Sequence, residues 1–279
     1  MLEKHHQTGQ NTCFKIYQGT TVQKSFLILA AFAAVPAYTQ TCTQADVALA
    51  QSYTQMQENG SYSGSDLSDE GKREAAENRF RKTLSSYLKQ KDSWSCAFTK
   101  TVKAGVDIYI SDDKRLIGFS WDSQSGGTLH EYQTVLQYRD DSGRIFVQDG
   151  DTNLLTGIYA DSFGKHGKAY LLTYLGRYGT SLFAQSLSIW QADNGKMRPL
   201  NIIRAQKPTH LLKYEYSPLG NANRGCQDFT YDKKTKTISF PLVPELDKNN
   251  PEAAYVPAEV SNRRIRYRFD GRYFVRLKP

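Results

Sequence analysis

Long apolar runs are nearly absent from this 279-residue chain. The most apolar stretch, residues 25–35, falls well short of the roughly 20 residues that cross a bilayer, which excludes a polytopic membrane protein. Histidine and cysteine are scarce, with five and four residues. Beyond residue 37 the histidines are His130, His166 and His210, spaced too widely for a local metal cluster. The chain carries no G-x-S-x-G, no H-E-x-x-H, no P-loop and no paired C-x-x-C. No metal and no cofactor is therefore expected, and any catalytic constellation has to be assembled by the fold.

What is present describes an ordered protein. Apolar residues make up 39% and aromatic residues 12%, enough to bury a core, so the chain is not intrinsically disordered. The net charge is +8, from 36 Lys and Arg against 28 Asp and Glu.

The N-terminus reads as an address. Lys24 precedes the apolar run, and Val35-Pro36-Ala37 closes it with small residues at the −3 and −1 positions, the layout of a secretory signal. Residues 1–37 are expected to be removed, leaving Tyr38 first. The polar lead, residues 1–21, is long for such a signal; one account is a translation start near Val22, and the sequence leaves the start codon open. Cys42 has no Leu three residues upstream, which argues against a lipid anchor. A periplasmic or extracellular bacterial location follows, with no transmembrane anchor after processing. An oxidising compartment favours a disulfide. Cys42 and Cys96 bracket two expected helices whose antiparallel packing brings the ends together, so these two are expected to pair and Cys226 to stay free.

Residues 38–96 read as a helical hairpin. Thr43-Gln44-Ala45-Asp46 resembles a capping box, and Leu49, Tyr53 and Met56 form an apolar stripe. Ser68 is placed to cap a second helix whose buried face is Ala76, Phe80, Leu84, Tyr87 and Leu88, with Arg73, Glu77, Arg81 and Lys82 on the polar face. Residues 97–279 switch to period two. Five hairpins are expected around Asp112-Asp113-Lys114, Asp140-Asp141-Ser142-Gly143, Asp193-Asn194-Gly195-Lys196, residues 232–236 and Asp270-Gly271. The predicted class is α+β, mainly β: a helical hairpin packed on an antiparallel β-meander, sandwich or barrel-like, in one unit. Residues 241–260, with four prolines, read as a surface loop.

Candidate chemistry is sparse. Asp122 and Glu131 flank a loop and are the acid/base pair that a glycosidase would need. Asp149-Gly150-Asp151-Thr152-Asn153 begins like a calcium loop, but Leu154 replaces the glycine and Ala160 the final Glu, so a polar turn is the better assignment. Trp121 fits two roles, a core anchor or a stacking platform for a ligand. The string Ser120-Trp121-Asp122, continued by Gly126-Gly127-Thr128, resembles a hairpin of uncharacterised secreted bacterial proteins. That resemblance spans residues 112–147 and implies export, with no activity attached.

Charge is concentrated at the C-terminus. Residues 263–279 hold Arg263, Arg264, Arg266, Arg268, Arg272, Arg276 and Lys278 against Asp270 alone. Alternation sets Arg264, Arg266 and Arg268 on one face and Ile265, Tyr267 and Phe269 on the other. Two roles fit: cations guarding a sheet edge, or a docking stripe for an anionic polymer. The expected function is non-catalytic: an exported envelope binding or interaction protein, whose binding residues are Arg264, Arg266, Arg268, Arg272 and Trp121. Its partner would be an anionic envelope polymer or another envelope protein, and not a specific nucleic acid. The alternative is a hydrolase of envelope polysaccharide or peptidoglycan acting through Asp122 and Glu131.

Overall fold

A computed structural model describes residues 40–62, 68–217, 229–244 and 260–278. The expected leader, Cys226 and most of the proline-rich loop lie outside the described residues.

Helix α1 (Cys42–Asn59) starts two residues earlier than the Thr43 box implied. Thr41 is the cap: its hydroxyl accepts from Gln44 N at 3.3 Å, and the Gln44 side chain accepts from Thr41 N at 3.0 Å. Helix α2 (Glu70–Leu88) is capped by Asp69 rather than Ser68, with the Asp69 carboxylate accepting from Lys72 N. The apolar stripes of both helices are buried as read. Arg73 departs from the expected polar face. It is 6% exposed, because its guanidinium reaches across to the next layer. A 3₁₀ turn (Lys91–Ser95) and a short helix α3 (Thr99–Ala104) follow, the latter unforeseen. The Cys42–Cys96 disulfide is formed, with 5.4 Å between Cα atoms.

Three antiparallel sheets follow. The first runs β1 (Asp107–Ile110), β2 (Leu116–Asp122), β3 (Tyr132–Arg139) and β4 (Ile145–Asp149), in chain order. The second is built from β5 (Leu154–Ser162), β6 (Lys168–Arg177), β7 (Phe183–Asp193) and β8 (Lys196–Pro199). In it β7 also pairs with β9 (Leu211–Tyr216) along its N-terminal half, while β8 takes its C-terminal end. The third runs β10 (Thr230–Asp232), β11 (Thr237–Pro241), β12 (Arg264–Phe269) and β13 (Phe274–Arg276). The mainly β, α+β class is the one read from the sequence, and all five expected turns join paired strands. The β5–β6 pair was not foreseen. Eight successive residues of β6 are buried, so its two faces do not differ in polarity and leave no alternation to read.

The layers follow from which face each residue takes. On β2, Ile117, Phe119 and Trp121 point to the helices and close a core with Phe80, Leu84 and Tyr87. Leu116, on the opposite face, joins Leu136, Leu155, Tyr170 and Leu172 between the first two sheets. On β6, Ala169 and Leu171 face the third sheet and meet Ile238, Phe240 and Phe274. Helices, then three sheets, stack in that order. The outer face of the third sheet lies on the surface.

Candidate functional site

The C-terminal arginines occupy that outer face. Strand β12 alternates strictly: Arg264, Arg266 and Arg268 are exposed, and Ile265, Tyr267 and Phe269 are half-buried against the core. Register places Pro241, Ser239 and Thr237 of β11 opposite the three arginines, so their neighbours on this face are small and uncharged. Arg264 is fixed by Nε to the Ser239 hydroxyl at 2.7 Å and by Nη2 to the Ser239 carbonyl at 3.0 Å. Among the described residues no carboxylate pairs with Arg266 or Arg268. Asp232, two strands away in the same row, turns its carboxylate onto the Thr235 hydroxyl and Lys234 N, which hold its carboxyl below the usual carboxylate range. Arg272 stands apart in the β12–β13 turn, over the ring of Tyr273 at 5.2 Å.

The β12–β13 hairpin forms one border of the third sheet, and the three arginines stand on its inner strand. Strand β12 lies inside the sheet, bonded to β11 on one side and β13 on the other, and β13 is the edge. Trp121 needs correction as a binding residue. It is 1% exposed and packs edge-on against Phe80 with ring centroids 4.9 Å apart, so no ligand can stack on it. It is a core anchor.

The next residue, Asp122, belongs to a built loop. Strands β2 and β3 are joined by residues 123–131, and Gly60–Tyr62 and Arg73 hold that loop from the helical layer. Ser61 N donates to the Gln124 carbonyl at 2.9 Å, the Tyr62 hydroxyl to the Ser125 carbonyl at 2.6 Å, and Arg73 Nη1 to the Ser123 carbonyl at 2.8 Å. Arg73 is itself paired with Glu70 and Glu77. Gly126 sits at φ +84°, where a Cβ would meet the Leu129 carbonyl oxygen at 2.0 Å, so the turn requires glycine.

Within this loop Asp122 and Glu131 are engaged by different partners. Asp122 Oδ2 lies 2.5 Å from His130 Nδ1, and its Oδ1 accepts from Gln124 N at 2.8 Å. Glu131 Oε2 accepts from the Ser125 hydroxyl at 2.6 Å, which is linked in turn to Ser123. Two tyrosine rings lie nearly parallel to the imidazole: Tyr62 at 4.5 Å and Tyr132 at 5.9 Å. Burial first, and then the Asp122 charge, push both phenol groups well above their ordinary value, so they remain neutral hydroxyls.

Comparison with protein-family models, curated proteins and solved structures finds no match. Nothing found bears on the resemblance expected of the Ser120–Thr128 string. Among the described residues no group of three His, Cys, Asp or Glu side chains is placed to hold a metal ion. Asp151 instead closes its own turn, accepting from Asn153 N at 3.0 Å.

Sequence reasoning passed over His130 as a partner of Asp122, and Arg73, Tyr62 and Arg177 as neighbours of the loop. One signal was available for the first. If β2 and β3 pair so that Asp122 faces Tyr132, as they do, residue 130 falls diagonally across from Asp122 on the same face.

Proposed function

We propose that this is an exported binding protein that docks a phosphate-bearing anionic polymer of the bacterial envelope on the outer face of its third sheet. The observation carrying this is the row of Arg264, Arg266 and Arg268 on the solvent face of an inner strand, with Arg266 and Arg268 unpaired by carboxylates among the described residues. Alternate strand residues are about 6.6 Å apart, so the row presents a guanidinium at each step to an extended polyanion. Guanidinium groups bind phosphate oxygens in pairs, which an ammonium does not. Ser239 and the exposed Thr230 add hydroxyls to the same face.

Location in the periplasm or outside the cell is part of the proposal. It is supported by the signal-like residues 24–37 and by the Cys42–Cys96 disulfide, which fits an oxidising compartment. Among the described residues no helix is long and apolar enough to cross a membrane.

The test is retention of the disulfide-bonded protein on immobilised polyphosphate at low salt, compared with the triple variant Arg264→Ser, Arg266→Ser, Arg268→Ser. The wild type should be held and the variant should flow through with an unchanged circular dichroism spectrum. Equal retention of the two proteins would sink the proposal.

A further inference from the structure

The Asp122–His130 pair has the form of an oriented base. One imidazole nitrogen faces a carboxylate, which favours the tautomer with the proton on Nδ1 and leaves the lone pair on Nε2. The two tyrosines stack on the ring, and among the described residues Nε2 has no hydrogen-bond partner. Of the described histidines, His130 is the one paired with a carboxylate; His166 meets the Arg272 carbonyl and His210 the Asn201 side chain.

The surroundings of this pair are those of a binding site. Tyr62, Leu129 and Tyr178 are three of the most exposed large apolar side chains among the described residues, at 36%, 44% and 37%. Two of them stand beside His130: Tyr62 stacks on its ring and Leu129 precedes it in the chain, while Tyr178 pairs with Leu129 through the backbone and turns its ring under Lys213 Nζ at 5.3 Å. Arg177 flanks the site from the end of β6, with its guanidinium 5.7 Å from the centre of the Phe183 ring. Its carbonyl accepts from His130 N at 3.1 Å, and its Nε is buried with no partner among the described residues. The Arg177 charge is felt at both Tyr62 and Tyr132, where it opposes the upward pull of Asp122.

We propose that Asp122, His130 and Arg177 form a hydrolytic site for carboxylic esters carrying an apolar acyl or alcohol group. His130 Nε2 takes a proton from water while the water oxygen bonds to the ester carbonyl carbon. Arg177 offsets the charge on the carbonyl oxygen as the tetrahedral intermediate forms. Collapse of that intermediate breaks the bond to the leaving oxygen, and the Nε2 proton passes to that oxygen, releasing acid and alcohol. Asp122 positions the ring and stabilises the imidazolium. Tyr62 and Leu129, exposed beside His130, take the apolar group. A glycosidase assignment suits this site less well, because Asp122 is committed to the imidazole.

This activity is independent of anion binding on the third sheet. The full disulfide-bonded chain is assayed against p-nitrophenyl butyrate as wild type, His130→Gln, Asp122→Asn, Asp122→Glu and Arg177→Gln. We expect saturable hydrolysis that falls about 100- to 10,000-fold in kcat/KM in His130→Gln, the range for loss of a positioned general base. Asp122→Asn should lower kcat with little change in KM, and Asp122→Glu should recover part of it, which a purely structural role would not produce. A wild type no faster than His130→Gln overturns the proposal. If His130→Gln does not fold, wild type treated with diethyl pyrocarbonate replaces it. Activity lost in step with modification of His130 supports the site, and activity lost in step with His166 or His210 overturns it.

Discussion

The carboxylate of Asp46, in α1, accepts hydrogen bonds from both the backbone N–H and the hydroxyl of Thr101, in α3, each at 2.8 Å. A third bond comes from Lys100 N at 2.9 Å. Helix α3 needs this, since its own cap residue, Phe98, sits at φ +48° and supplies no side-chain acceptor. One helix thereby caps another across 55 residues of chain.

Removing that carboxylate should loosen the junction between helices and first sheet. Burial by itself pushes the Asp46 carboxyl up, but the bonds from Lys100, Thr101 and Thr99 outweigh it and hold the group below its ordinary value of 3.8. A folded-state value below the unfolded one means that Asp46 stabilises the protein above about pH 4. That contribution is lost as pH falls through the folded value. Asp46→Ala is expected to cost about 1–3 kcal/mol at pH 7, with a smaller difference in acid. Urea denaturation of both proteins at neutral and low pH checks it; coincident curves at pH 7 would reject the capping role.

The Cys42–Cys96 bridge closes a loop with a sequence separation of 54. In the chain-entropy account such a loop stabilises by about 4 kcal/mol. Paired substitution to serine, Cys42→Ser with Cys96→Ser, should lower the unfolding free energy by about that amount, read from denaturant midpoints. A loss below 1 kcal/mol would mean that the helical layer restrains the unfolded chain without it.

At Gly118 of β2 the first sheet lies close against β5 of the second. A Cβ there would lie 2.2 Å from Leu155 Cδ2 and 3.3 Å from Ile158 Cδ1. Gly118→Val should therefore overpack the interface and destabilise by about 1–3 kcal/mol. The companion change Leu155→Ala makes room, so the double variant should recover part of that loss. A double-mutant cycle with no coupling would place the sheets farther apart than described.

If the third sheet binds a polyanion, affinity should fall steeply with salt, since each cation that neutralises a phosphate releases a counterion. For B-DNA the slope of log K against log salt is about 0.9 per contact. Changing Arg266 and Arg268 to serine should lower the slope on polyphosphate by about 2 if both make contact. Fluorescence titration over a range of salt concentrations gives the slopes, and parallel lines would exclude the two arginines from the interface.

Much of this architecture was legible along the chain, for local reasons. Helical stripes such as Leu49, Tyr53 and Met56 and strand alternation such as that of β12 arise wherever one side of an element is wet and the other dry, so they survive in the order of residues. Aspartate and glycine marked the five turns because short hairpin loops need their backbone freedom. The Cys42–Cys96 pairing followed from the ends of two antiparallel helices. The same local logic failed at β6, which is dry on both faces, and at Arg73, whose long side chain leaves its helix to hold a loop of the first sheet.

The sequence by itself determined the class of fold, the disulfide and the separation of arginine from aromatic along β12. Only the tertiary structure decided that β12 is an inner strand, that Trp121 is sealed in the core and that Asp122 meets His130. Each of these depends on which strand or helix lies alongside in space. Periodicity records that a residue has a buried side, but the neighbour on that side comes from a distant part of the chain, and strand order and register select it.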